Sequence, residues 1–216
     1  MAVSEGIDDP KFDLPPPGTF LPGQSAYRVA GVLYRGVIAY IDDQIQGGLP
    51  AVLAELPDAR LAEFLSQPFS ATGKYDIFPL PYVTETLARM RRVSFAEQLR
   101  HSNQFSEERI GKLYRALLHV LNAEMVALAL PRAVSIAYDF SRTTVQVRGP
   151  HEVSGARSGI PRVVVRWLAL SSAAYTERAL GRTGATFVKV TTGVPMPEGS
   201  TEPSELYTVP FTIAWT

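Results

Sequence analysis

The sequence predicts an α+β domain: an N-terminal helical layer packed on a C-terminal antiparallel sheet with one inserted helix. Two observations carry this. From Leu33 to Leu130 apolar residues recur at helical spacing. From Thr143 onward alternation takes over, most cleanly in Tyr207, Val209, Phe211, Ile213 and Trp215. Helices first and strands afterwards describe two packed layers rather than alternating βα units. The chain has 216 residues, 46% of them hydrophobic and 19% charged, enough for one core without covalent staples.

The first 25 residues stand apart. Pro10, Pro15, Pro16, Pro17 and Pro22 are interspersed with Gly6, Gly18 and Gly23, and the apolar residues have no period. The reading is an extended or disordered arm over 1–25 ahead of a single domain over 26–216. The alternative is an arm that docks on its own domain or a partner through Phe12, Leu14, Phe20 and Leu21. It has neither the basic start nor the apolar middle of a secretory signal.

A strand beginning at Tyr27 is broken by Gly31. A helix then runs from about Leu33 to Gln46, with Leu33, Val37, Ile41 and Ile45 on one face and Gly47-Gly48 at its end. Helices follow over 50–56 and, capped by Asp58, over 59–66. Residues 67–80 read as a loop. Pro81 opens a helix to Arg92, with Val83, Leu87 and Met90 inward and Glu85 facing Arg89 outside. Ser94 caps 95–101. Ser106 starts a helix with the stripe Ile110, Leu113, Tyr114, Leu117 and Leu121, and another runs from Glu124 to a stop near Pro131. The β half is expected as strands over 143–148 and 163–168, a helix capped by Ser172, and strands over 186–191 and 207–215. Pro210 argues for an edge position of the last strand.

Composition excludes several chemistries. There is no cysteine, hence no disulfide, thiolate nucleophile or cysteine metal site. Twenty-one basic residues balance twenty-one acidic ones, so no whole-protein field favours nucleic acid, and no groove-reading motif is present. No apolar run reaches the roughly 18 residues of a membrane span. The three histidines, at 101, 119 and 151, have no metal-ligand spacing, so no metal site is expected. His151 and Glu152 lie near Ser154 and Ser158, but the Gly-x-Ser-x-Gly elbow is absent and this stretch reads as a polar hairpin connection. No catalytic residue is assigned. The basic residues have some order: Arg89 and Arg92 in one stretch, then Lys112, Arg115 and His119 on one helix face. They read as a solvated face, with Arg89, Arg92, Lys112 and Arg115 the candidate partner surface.

Tyr138-Asp139-Phe140-Ser141-Arg142 resembles the Tyr-x-Ser-x-Arg motif with which haem–nitric-oxide/oxygen-binding (H-NOX) sensor domains hold haem propionates. Tyr138 and Arg142 keep the spacing, and Ser141 is displaced by one. The helix–helix–strand order is similar to that fold and to the related 4-vinyl reductase ligand-binding domains. His119, the only upstream candidate to ligate iron, falls on the polar helix face, so no cofactor is expected. Val29-Ala30-Gly31-Val32-Leu33-Tyr34-Arg35-Gly36, Phe78-Pro79-Leu80-Pro81-Tyr82, Leu130-Pro131-Arg132-Ala133, Ala174-Tyr175-Thr176-Glu177-Arg178-Ala179-Leu180 and Phe211-Thr212-Ile213-Ala214-Trp215 together resemble a myxobacterial family of roughly 200-residue paralogues. That resemblance implies a bacterial signalling or regulatory protein and brings no catalytic residues.

The expected function is a non-enzymatic cytoplasmic binding module. It holds a small apolar ligand or a protein partner where the helical layer meets the sheet. The competing class is a scaffold that self-associates, as a homodimer, through its edge strand or its arm.

Overall fold

The computed structural model describes residues 6–108, 122–201 and 204–216. Among these residues seven α-helices are seen: α1 (Gly31–Gln44), α2 (Gly48–Glu55), α3 (Ala59–Leu65), α4 (Pro79–Arg91), α5 (Phe95–Glu108), α6 (Ala123–Ala137) and α7 (Val165–Gly181). Two short strands, β1 (Arg28–Ala30) and β2 (Lys74–Asp76), pair antiparallel within the helical half. The main sheet holds β3 (Arg142–Gly149), β4 (Glu152–Pro161), β5 (Lys189–Thr192), β6 (Met196–Thr201) and β7 (Ser204–Ala214). Its order is β3-β4-β7-β5, with β6 also on β7 and every pairing antiparallel. The α+β class with one inserted helix, α7, holds.

Several local expectations hold as well. The side chain of Asp58 accepts from Arg60 N at the start of α3, and Ser94 Oγ accepts from Glu97 N at the start of α5. Gly31 opens α1 because its backbone packs directly against Ser70 O, which leaves no room for a Cβ.

Other expectations are corrected. Residues 6–25 of the arm are packed, not free. Phe12 is 1% exposed at the end of a 3-10 turn over Pro10–Phe12, edge-on to Tyr207, and Ile7 is also fully buried. Arg166 pairs with Asp8 and Asp13, and Arg162 donates to Lys11 O. Asp76, with no exposed surface, fastens the arm's end by accepting from Gly23 N, Ser25 N and Ser25 Oγ. Prolines suit such a segment because it is a series of tight turns whose bonds are donated by Phe12, Asp13, Thr19 and Gln24 N, so that no proline N–H is needed. The arm therefore docks on its own domain.

Residues 163–168 form no strand. They make a 3-10 turn over Arg162–Val164 and the first residues of α7. Ser172 lies inside that helix and caps nothing. The strand that pairs with β3 is instead β4, drawn from the segment that reads as a hairpin connection. Helix α6 runs through Pro131 to Ala137 rather than stopping there. Helix α5 passes Ser106, and the stripe from Ile110 to Leu121 lies outside the described residues. Arg89 pairs with Glu55 at the end of α2 instead of with Glu85.

The last strand is central, not an edge. β7 pairs with β4 on one side and with β5 and β6 on the other. Pro210 is tolerated because it falls between those last two pairings: β5 covers 211–214 and β6 covers 204–208. Its carbonyl still accepts from Gly193 N at 2.8 Å on that side, where the missing N–H goes unclaimed. An edge pairing of copies through this strand is therefore closed off.

Two buried clusters result. One joins the arm, α1–α5, the start of α7 and the middle of β7, and includes Leu168 and Val209. The other joins α6, the end of α7 and the far ends of the strands, and includes Leu180, Val190 and Ile213.

Candidate functional site

Where the two clusters meet, the packing leaves a cavity of about 70 Å³ between α6, α7 and the inner face of the sheet. Helix α7 presents Leu168, Ser172 and Thr176 to it, four residues apart and therefore on one stripe. Helix α6 contributes Leu130 and Val134, and β7 contributes Val209, Phe211 and Ile213 by alternation.

Among the described lining residues, strand β4 brings the one charge. Its inner face carries Val153 and Arg157 by alternation, and then Ile160, which alternation alone would turn outward. A register shift between Arg157 and Ile160 restores Ile160 to the inside. Gly159, in the left-handed region at φ 72°, makes that shift possible, and Glu198 accepts its N–H. Both Arg157 and Ile160 thus line the cavity.

Arg157 is only 5% exposed. Its Nε and Nη2 donate to Ser141 Oγ at 2.9 and 2.8 Å, and Nη1 donates to Ser172 Oγ at 3.1 Å. The guanidinium carbon lies 4.3 Å from the centre of the Tyr138 ring, a cation–π contact. No carboxylate among the described residues pairs with it. Ion pairs among those residues join Lys11 to Asp9, Arg60 to Asp58, Arg89 to Glu55, and Arg166 to Asp8 and Asp13.

Burial pulls the Arg157 guanidinium down to about 10, against the opposing pull of Tyr138. Holding the charge there costs on the order of 3 kcal/mol relative to water. Burial likewise raises the Tyr138 phenol, with Arg157 opposing the shift. Directly across the β3–β4 ladder from Arg157 stands Thr143, which also lines the cavity. Its Oγ1 is buried and has no hydrogen-bond partner. The cavity therefore combines apolar walls with a buried cation and an unpaired hydroxyl side by side.

The residues singled out from sequence are dispersed. Arg89 and Arg92 are exposed near the C-terminal end of α4, with Arg89 turned onto Glu55 and Arg92 in the left-handed region at φ 56°. Lys112, Arg115 and His119 lie outside the described residues. His151 sits on the β3–β4 turn against the edge of Trp215, and His101 contacts Arg91 through Nδ1. Tyr138 and Ser141 do converge, but the arginine they meet is Arg157 and not the adjacent Arg142, which is exposed. No local motif marks Arg157. The one available signal is an arginine on the same parity as Val153 in a stretch of small residues.

In architecture the chain is similar to H-NOX domains. The Fe(II) unliganded H-NOX protein from K. algicida is 12% identical, with a TM-score of 0.58 over 87% of this chain and 96% of that one. An oxygen-binding H-NOX domain related to soluble guanylate cyclases, in its oxygen complex, is 8% identical, with a TM-score of 0.61 over 87% and 95%. A mutant of Cs H-NOX carrying 4-cyano-L-phenylalanine is 8% identical, with a TM-score of 0.62 over 87% and 96%. No family model matches the chain, and no curated protein matches it in sequence. At these identities the likeness is one of fold.

The described residues do not fit a haem. Those lining the cavity include no histidine, cysteine, methionine or tyrosine to ligate iron. The cavity volume is far below the roughly 300–1,000 Å³ of ordinary cofactor pockets. The Ser141 hydroxyl and the Tyr138 ring are already engaged by Arg157.

Proposed function

We propose that this protein is a non-enzymatic binding module of a bacterial signalling or regulatory system, such as the myxobacterial paralogues it resembles. It works in the cytoplasm and holds a small, largely apolar ligand between α6, α7 and the sheet. The cavity at the junction of the two core clusters carries this reading. Close packing is the norm in protein interiors, so a void with polar groups on one wall is a feature to be explained. The H-NOX-like architecture supports it, since the solved H-NOX structures include an oxygen complex. Ligand entry would wedge α7 against the sheet and be felt in both clusters, because α7 contributes Leu168 to one and Leu180 to the other.

Xenon tests the cavity without presuming any ligand chemistry, because apolar voids take it up. Methyl resonances of Leu168, Val190 and Ile213 shift under xenon pressure if the cavity is accessible. In Ala173→Leu, which fills it, those shifts disappear. Xenon shifts confined to surface methyls, or unchanged in Ala173→Leu, would remove the cavity as the site.

A further inference from the structure

We infer that the occupant of the cavity is a short-chain monocarboxylate, its carboxylate held by Arg157 and Thr143 and its alkyl chain lying against α6, α7 and β7. This rests on the reading of the cavity as a small-ligand site and adds the chemistry of the ligand.

The charge argument comes first. A buried ion is retained when a counter-charge or a full set of hydrogen bonds compensates it. Ser141, Ser172 and the Tyr138 ring solvate Arg157 but do not neutralise it. Each terminal nitrogen of the guanidinium carries a second hydrogen beyond the one given to a serine. A carboxylate accepts two such bonds in parallel, with geometry and charge both matched.

The second argument is independent of Arg157. Thr143 Oγ1 is buried without a partner, although a hydroxyl in that position ordinarily finds one. It stands across the ladder from Arg157 on the same wall, so one carboxylate bound by the guanidinium supplies the acceptor that Thr143 lacks. A neutral ligand would satisfy the hydroxyl and leave the cation uncompensated. A phosphate would bring excess charge and make no use of the apolar walls.

Size sets the chain length. At roughly 10–15 Å³ of such space per water-sized atom, the cavity of about 70 Å³ holds about five to seven non-hydrogen atoms. The unexpanded cavity therefore takes an acid of only about three to five carbons.

The test is a thermal-shift and NMR titration of the full chain with straight-chain acids from acetate to hexanoate. Primary alcohols of matched length and inorganic phosphate serve as controls. The expected result is an optimum near the middle of the acid series, with matched alcohols at least tenfold weaker and phosphate without effect. Arg157→Met should abolish the preference for acid over alcohol. Thr143→Val should weaken the best acid severalfold without lowering the unfolding midpoint of the free protein, which a merely structural hydroxyl would not do. If Arg157→Met fails to fold, Thr143→Val and the wild-type series still decide. Equal binding of acids and alcohols would overturn the carboxylate and leave the cavity reading standing. Acid binding without a chain-length optimum, with phosphate competing, would place the anion on the surface and overturn the proposal. No binding of either series at about 10 mM, where ligand linkage would register even millimolar affinity, together with no response to xenon, would remove both readings.

Discussion

Replacing Phe12 by alanine tests whether the proline-rich arm is part of the fold. The ring is 1% exposed and belongs to the larger core cluster, with its centre 5.1 Å from that of Tyr207 in an edge-on contact. Truncating a buried phenylalanine costs about 3–5 kcal/mol, of which the aromatic pair accounts for roughly 0.5–1.5 kcal/mol. In a chain of this size each kcal/mol lowers the unfolding midpoint by roughly 2–4 °C, so the midpoint of Phe12→Ala should fall by about 6–20 °C. Lys11→Ala is the control. Its side chain is 45% exposed, pairs with Asp9 and lies 4.9 Å over the Phe12 ring, so it should change stability by less than about 1 kcal/mol. Urea denaturation followed by circular dichroism gives the free energies. A double-mutant cycle with Tyr207→Leu should return a coupling of about 0.5–1.5 kcal/mol. A loss below about 1 kcal/mol for Phe12→Ala, with the transition still cooperative, would mean that the arm does not pack in solution and would refute the reasoning.

Three further outcomes are expected. Asp76→Ala should destabilise by about 3–5 kcal/mol in the same urea assay, because Gly23 N, Ser25 N and Phe78 N lose their shared acceptor, while Asp76→Asn should cost less. Gly31→Ala should cost at least about 2 kcal/mol, since its Cβ would run into the Ser70 carbonyl; a neutral result would show that the α1 entry readily shifts. Alkaline pH should unfold the protein through its buried tyrosines. Burial raises the phenols of Tyr34 and Tyr138 and lifts Tyr82 to about 12, so the folded state holds protons that the unfolded chain releases from about pH 10. Their contribution is present below pH 10 and is lost as pH rises towards 12. Arg157 acts in the opposite sense, its burial cost easing as pH climbs past 10. Tyrosinate absorbance should therefore rise together with the loss of circular dichroism, and Tyr82→Phe should flatten the fall of stability with pH.

What the sequence reveals depends on how local the cause is. The α1 face, the Asp58 and Ser94 caps and the alternation of β7 are visible because each is written in neighbouring residues. Residues 163–168 mislead because a short apolar run fits a strand or a buried helix equally well. What decides is that helix α7 continues to Gly181. β4 hides for the opposite reason. Ser154, Gly155, Ala156 and Ser158 have little strand propensity, and the strand is held by β3 and β7 on its two sides. At Gly155 the Phe211 ring packs where a side chain would stand, a contact between strands distant in sequence. The arm misleads because proline density signals an unstructured chain, whereas burial here rests on single side chains such as Phe12. The cavity is the least legible feature. Arg157 meets Ser141 sixteen residues upstream and Ser172 fifteen downstream, and only the folded sheet and α7 bring them together.

The cavity also bears on how the molecule responds to compression. Unfolding eliminates internal voids, so pressure favours states in which they have collapsed or filled with water. A void of about 70 Å³ amounts to roughly 40 mL per mole, a sizeable part of the volume change by which small proteins unfold under pressure. Because it lies at the seam between the two clusters, pressure is expected to loosen first the packing that joins one cluster to the other. A ligand that fills the void removes this soft seam and makes the two clusters yield as one body.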